Sequence, residues 1–266
     1  MNDRWGITPF SGNTPADGTV TPSCVPLVIP TGPDNKVSPD PGLLLRKAGS
    51  RPGARKDPAF GKDTRFAIWR NGAVHIISES YFYKTEPYYT ILKHELDGKT
   101  VRPPSRSVLD ACVVPVCLER AGLAGIPVLE WGISQGYAPL PSILYGLNYF
   151  AATSDYFIVD DNEKAKDAVR HITNKGKYPF CYQKLPENYE IRSCISIFGR
   201  TMTGSEQIDT IAMQVYDLFA IPLVTMVLVK DGDRFLLSSL SGTRYSQMSA
   251  EERSLLSAYI SHQEFL

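Results

Sequence analysis

With 28 basic and 28 acidic side chains among 266 residues, the chain carries no net field to draw it to nucleic acid or an anionic membrane, and it can bury a sizeable core. Its five cysteines are odd in number, and Cys112 with Cys117 lacks the two-residue spacing of a zinc knuckle or thioredoxin motif. Buried free thiols in a reducing compartment are the expectation that remains.

The first residues, MNDRWGITPFSGNTP, have no basic region followed by an apolar one, so no cleaved signal peptide is expected. The apolar stretch from Leu218 to Val229 is interrupted by Pro222 and falls short of the ~20 residues that span a bilayer, so the expected location is cytoplasmic. Residues 1–62 are rich in Pro, Gly, Ser and Asp and include a basic stretch from Arg46 to Asp57. Such a segment buries too little apolar area to offset its ordering entropy, so it reads as an extended arm that becomes ordered only when pinned. Its partner would be its own domain, another protein or a second copy. An α/β domain is expected over 63–266, with room for a sub-boundary near 140–155.

From Arg65 the pattern changes. RFAIW, Asn71-Gly72 and AVHIIS predict a β-hairpin, because Asn-Gly supplies the positive φ values of a type I′ turn. Pro87 opens a short helix that Asp97-Gly98 stops. Ser107 and Asp110 resemble a capping box for a helix reaching about Ala121, which Pro115 should kink or divide. Ile126–Trp131 then reads as a strand, 142–152 as an apolar helix, Asp155–Val159 as a strand, and Asn162–Asn174 as a surface helix ended by Gly176. A hairpin is expected over 178–200, followed by a helix (205–219), a strand (Leu223–Val229), an Asp231-Gly232 turn and a strand (Arg234–Leu240). Ser249 with Glu252 caps a last helix. Strands and helices alternate without an internal repeat, so the fold class is α/β or α+β, a mixed sheet with flanking helices.

The segment Tyr178–Met202 carries the most pointed chemistry. Alternation puts Glu190 and Arg192 on one side of a strand. Lys184, Glu190 and Arg192 can bind a phosphate or carboxylate, with Arg192 offering a planar fork to the anion, and Arg200 and Arg244 can converge on it. The competing reading is a solvated hairpin face with a cross-strand ion pair.

Other candidates have simpler readings. His75, His94, His171 and His262 have no partner at metal-ligand spacing, and no metal site is expected. Cys112 and Cys117 sit in an apolar helix that should bury them. Tyr81, Tyr83, Tyr88 and Tyr89 could stack bases, but they fit core and interface packing better, and nucleic acid is not an expected partner. The polar, aromatic run Glu130–Tyr137 follows a strand, where ligands often bind in α/β sheets.

Ala124-Gly-Ile-Pro-Val128 after a helix, Tyr182-Gln183-Lys184, and then Glu190-Ile191-Arg192 running to Gly199 together resemble motifs of the ATP-grasp ligases. The similarity is to members that join carboxylates to amines on peptides or ribosomal proteins, and it covers roughly residues 105–245. It implies an ATP-grasp-like fold, ATP and Mg²⁺ as cofactors, a nucleotide site closed by 205–242, and ATP-dependent ligase activity. Two features depart from the family. Where carboxylates should hold magnesium, the chain has Leu223-Val-Thr-Met226 and Ser238-Ser239-Leu240-Ser241, and between Ile158 and Phe180 only Gly176 stands where a glycine-rich loop is expected. The second functional reading is therefore a non-enzymatic scaffold or assembly subunit that engages a partner through its arm.

Overall fold

The computed structural model describes residues 60–61, 64–148 and 151–261. All of them belong to one compact unit. The predicted arm at 1–62 lies outside the described residues except for Phe60 and Gly61. Phe60 packs its ring 5.3 Å from Tyr245 and 5.8 Å from Phe66.

The fold is α+β, built on three sheets. β1 (Phe66–Arg70) and β2 (Ala73–Ile77) form the predicted hairpin, with Asn71 at φ 47° and Gly72 at φ 73°. α1 (Glu86–Leu96) starts with Pro87 in its first turn, stops at Asp97 and leads to β3 (Val101–Arg102), which pairs parallel with β2. α2 (Ser105–Cys112) and α3 (Val114–Leu123) are divided by the Pro115 step, as expected. Ser107 is inside α2 and not its cap. Pro104 takes that place, since the fixed φ of proline suits a helix start and its missing N–H is no loss there.

β4 (Trp131–Ser134), β5 (Ser142–Gly146), β6 (Tyr156–Val159) and β7 (Phe180–Lys184) form an antiparallel sheet in the order β4-β7-β5-β6, with α4 (Asn162–Ile172) packed on it. β8 (Tyr189–Ile197), β9 (Leu223–Asp231) and β10 (Arg234–Ser241) form a second antiparallel sheet with β9 central. α5 (Glu206–Phe219) buries Ile208, Ile211, Ala212, Val215 and Phe219 in a core shared with Cys194, Met226, Leu228 and Leu240 of that sheet. The last helix, α6 (Ala250–Ser261), has the predicted capping box: Ser249 N–H donates to Glu252 (2.7 Å) and Glu252 N–H to Ser249 Oγ (3.1 Å).

Three further expectations are corrected. The 142–152 stretch opens as strand β5, not a helix. A strand buried on both faces presents a continuous apolar run, whose period cannot separate it from a buried helix. The strand expected at Ile126–Trp131 lies later, at β4, and Val128 makes only an isolated bridge to Leu237. The 178–200 hairpin is absent, because β7 pairs with β4 and β5 while β8 pairs with β9. Pro186–Asn188 therefore passes the chain from one sheet to the other. No helix among the described residues is long and apolar enough to cross a membrane.

Candidate functional site at the seam between two sheets

A single apolar cluster joins the four-stranded sheet to the β8–β10 sheet. It brings Ile143, Tyr145 and Cys181 against Ile191, Val229 and Leu236, with Val114 and Leu118 of α3 alongside. Register explains the choice. Ile143 pairs with Gln183 and Tyr145 with Cys181, so these four side chains share the face opposite α4. On β10 the register slips between Leu237 and Ser239, and the extra residue, Ser238, bulges.

That bulge is the polar centre of the seam. Gln183 Nε2 donates to the Ser238 carbonyl at 2.8 Å, and the Tyr145 hydroxyl meets Ser238 Oγ at 2.7 Å. Tyr145 is 1% exposed, and Gln183, Ser238 and Ser239 are wholly buried. Burial pushes the Tyr145 phenol above its ordinary range, with the serine hydrogen bonds opposing the shift. Gln183 Oε1 is buried without a hydrogen-bond partner. A buried amide oxygen left unpaired costs about 1–3 kcal/mol, so it is an acceptor in want of a donor. Ser239 Oγ donates to the Thr153 carbonyl at 3.4 Å.

The residues singled out from sequence fall around the seam and not in it. Lys184 is on the α4 side of β7 and bonds Glu130 at 2.5 Å, which holds its ammonium above the usual range. Glu190 and Arg192 lie on the α5 side of β8. Arg192 Nε and Nη2 donate to the two Glu190 oxygens at 2.7 and 3.2 Å, and its guanidinium sits 5.6 Å over Phe235. The pair is formed within one strand, not across a hairpin. It holds the Glu190 carboxyl below the ordinary range. Both partners are about half exposed, so the pair should add little to stability. Arg192→Lys should leave the urea midpoint unchanged, and a clear drop would mean that the fork is structural.

Arg200 follows a turn in which Phe198 (φ 50°) and Gly199 (φ 79°) are both left-handed, and a Cβ on Gly199 would come within 3.0 Å of Tyr216 Cβ. β8 and β10 run the same way beside β9, so Arg200 and Arg244 leave the same end of the sheet. Both are exposed, and neither has an ion-pair partner among the described residues.

Magnesium requires hard, charged oxygen ligands. The seam face of β9 and β10 presents Thr225, Ser238, Ser239 and Ser241, with Thr225 Oγ1 bonded to Thr243 Oγ1 at 2.8 Å. Its only strand carboxylate, Asp231, is at the far end and paired with Arg234. No group of three His, Cys, Asp or Glu among the described residues could hold a metal ion. This donor set does not fit magnesium. The stretch where a glycine-rich loop was expected is instead α4 and its C-terminal turn.

Among the described residues four thiols are free, and burial raises Cys112 to about 11 and Cys117, Cys181 and Cys194 to about 12, which suits packing and not nucleophilic attack. Cys24 and His262 lie outside the described residues. Tyr81 and Tyr88 are core residues, while Tyr83 and Tyr89 are 42% and 55% exposed. Sequence reasoning missed Tyr145, placed in a helix, and Ser238, whose bulge has no local signal. Gln183 was noticed only through the resemblance.

No family model matches the sequence, and no curated protein is similar to it. Solved structures are. A RimK domain ATP-grasp protein from Sphaerobacter thermophilus is similar over 66% of this chain and 77% of its own, at 14% identity and a TM-score of 0.50. The ATP-grasp ligase PsnB complexed with minimal precursor matches over 74% and 81%, at 13% identity and a TM-score of 0.50. The D-alanine-D-alanine ligase from Helicobacter pylori matches over 66% of this chain and 65% of its own, at 9% identity and a TM-score of 0.50. At such identities the likeness establishes architecture, and the architecture of this chain is an ATP-grasp-like fold in a degenerate form.

Proposed function

We propose that this protein binds a nucleotide, or a related anion with an N–H-bearing ring, at the seam of β7 and β10 and does not perform magnesium-dependent ligation. The observation that carries the reading is the buried, unpartnered Gln183 Oε1 beside the Ser238 bulge. A ring amine donating to that oxygen would remove its desolvation penalty, and reaching it requires the two sheets to part, because Gln183, Ser238 and Tyr145 are buried. The ligand's anionic end would turn toward Arg200 and Arg244, two cations at one end of the sheet without carboxylate partners among the described residues. Lys184 and Arg192, paired with Glu130 and Glu190 on faces turned away from the seam, take no part in it. The hydroxyl-lined face of β9 and β10 supports the absence of magnesium chemistry, and a cytoplasmic location fits a nucleotide ligand.

Thermal unfolding with millimolar ATP tests this, because a ligand selective for the native state raises apparent stability, by roughly 1.4 kcal/mol at ten times Kd. The midpoint should rise equally in EDTA and in Mg²⁺, and Gln183→Leu should reduce the rise. No shift with ATP would discard nucleotide binding, while a shift that requires Mg²⁺ would restore a metal site.

A further inference from the structure

The side of the four-stranded sheet opposite the seam carries a cationic cleft. A cleft of about 430 Å³ lies between the β4–β5 connection and α4, lined by Gln135, Tyr137, Lys166, Val169, Arg170 and Lys175 among others. That volume is in the range of small-ligand cavities, roughly 300–1,000 Å³. Three of its lining residues are cations and none is acidic.

The charges are sorted along the helix. Lys164 is neutralised by Asp160 at 2.8 Å and Asp161 at 3.4 Å, whereas Lys166, Arg170 and Lys175 have no ion-pair partner among the described residues. Interaction with the helix dipole accounts for Arg170 in the last turn. It accounts neither for Lys166, a full turn earlier, nor for Lys175, beyond the helix end. Three full positive charges also outweigh the partial charge of about −0.5 at that end.

Lys175 is held in place. Asn174, Lys175 and Gly176 are all left-handed, at φ 50°, 60° and 84°. The turn is locked by Lys175 N–H to the Arg170 carbonyl (2.8 Å), Gly176 N–H to Thr173 Oγ1 (2.7 Å) and Thr173 Oγ1 to the Val169 carbonyl (2.6 Å). Two consecutive non-glycine residues in this region cost conformational energy, and here the strained turn sets a cation on the rim of the cleft. Tyr137, 73% exposed, supplies an aromatic face on the other rim.

We propose that this cleft binds a small ligand carrying a diphosphate or two adjacent phosphate groups, held by Lys166, Arg170 and Lys175. Because the site is across the sheet from the seam, it stands or falls independently of nucleotide binding there. Calorimetric titration of the full chain with inorganic pyrophosphate tests it. All three cations are exposed, so the double variant Lys166→Glu/Arg170→Glu should fold, and its pyrophosphate affinity should fall at least tenfold. Lys175→Glu alone should also weaken binding. In both, the part of the ATP-induced thermal shift that Gln183→Leu removes should be retained, and wild-type affinity should decline as salt is raised. Absence of pyrophosphate binding would overturn the proposal. So would binding that survives these changes and is lost in Arg200→Glu or Arg244→Glu, which would place the anion at the end of the β8–β10 sheet.

Discussion

Replacing Tyr145 with Ala is expected to destabilise the protein by about 4–5 kcal/mol, the largest effect of any single seam substitution. The ring is 1% exposed and packs among Ile143, Cys181, Val229 and Leu236, so its removal leaves a cavity between two sheets that have few ways to collapse. The variant also strips Ser238 Oγ of its 2.7 Å partner in a buried place. Tyr145→Phe separates these contributions: it keeps the ring and loses only the hydrogen bond, for about 1 kcal/mol. Urea denaturation of the three proteins measures both values. A loss below about 1.5 kcal/mol for the alanine variant would mean that the sheets are not closed on each other there, and the account of the seam would fail.

Acid is expected to weaken the fold through His75. The side chain is 4% exposed on β2, 5.7 Å from the Phe198 ring, with Nδ1 unpartnered. Burial, and then the Arg102 and Arg70 charges, hold its pKa down from 6.5 to about 4. Tyr216 packs at the same place beside Arg102, and Arg70 lies over Tyr259. Because the folded-state pKa is depressed, the unfolded chain takes up protons first. Stability is therefore full above about pH 6.5 and declines as the pH falls toward 4. Between pH 7.5 and 4.5 the loss should be on the order of 2–3 kcal/mol. In His75→Leu most of that dependence should vanish, and an equal acid loss in both proteins would sink the assignment.

Local chemistry was legible where a few neighbouring residues decide the outcome. Asn71-Gly72 makes its turn because it tolerates positive φ, Asp97-Gly98 stops α1, Pro115 divides two helices, and Ser249 with Glu252 caps α6. The alternation that places Glu190 and Arg192 on one side of β8 is likewise local, and their ion pair follows from it. β5 was misread because burial on both faces erases the period of two that marks a strand.

What only the tertiary structure decided is which strand meets which. Residues 178–200 hold two good strands and a turn, yet each strand finds lower free energy in a longer-range partner: β7 between β4 and β5, β8 beside β9. Such pairing depends on apolar faces contributed from far along the chain, which no window of neighbouring residues contains. The candidate site inherits that dependence. Gln183 and Ser238 are 55 residues apart and Tyr145 and Ser238 are 93 apart. The Ser238 carbonyl reaches Gln183 at a β-bulge whose register is set by packing against β9. The sequence by itself determined the composition, the turns, the caps and the faces of single strands. The docking of two sheets, governed by the burial of their combined apolar surfaces, decided that three ordinary polar residues would meet at a seam.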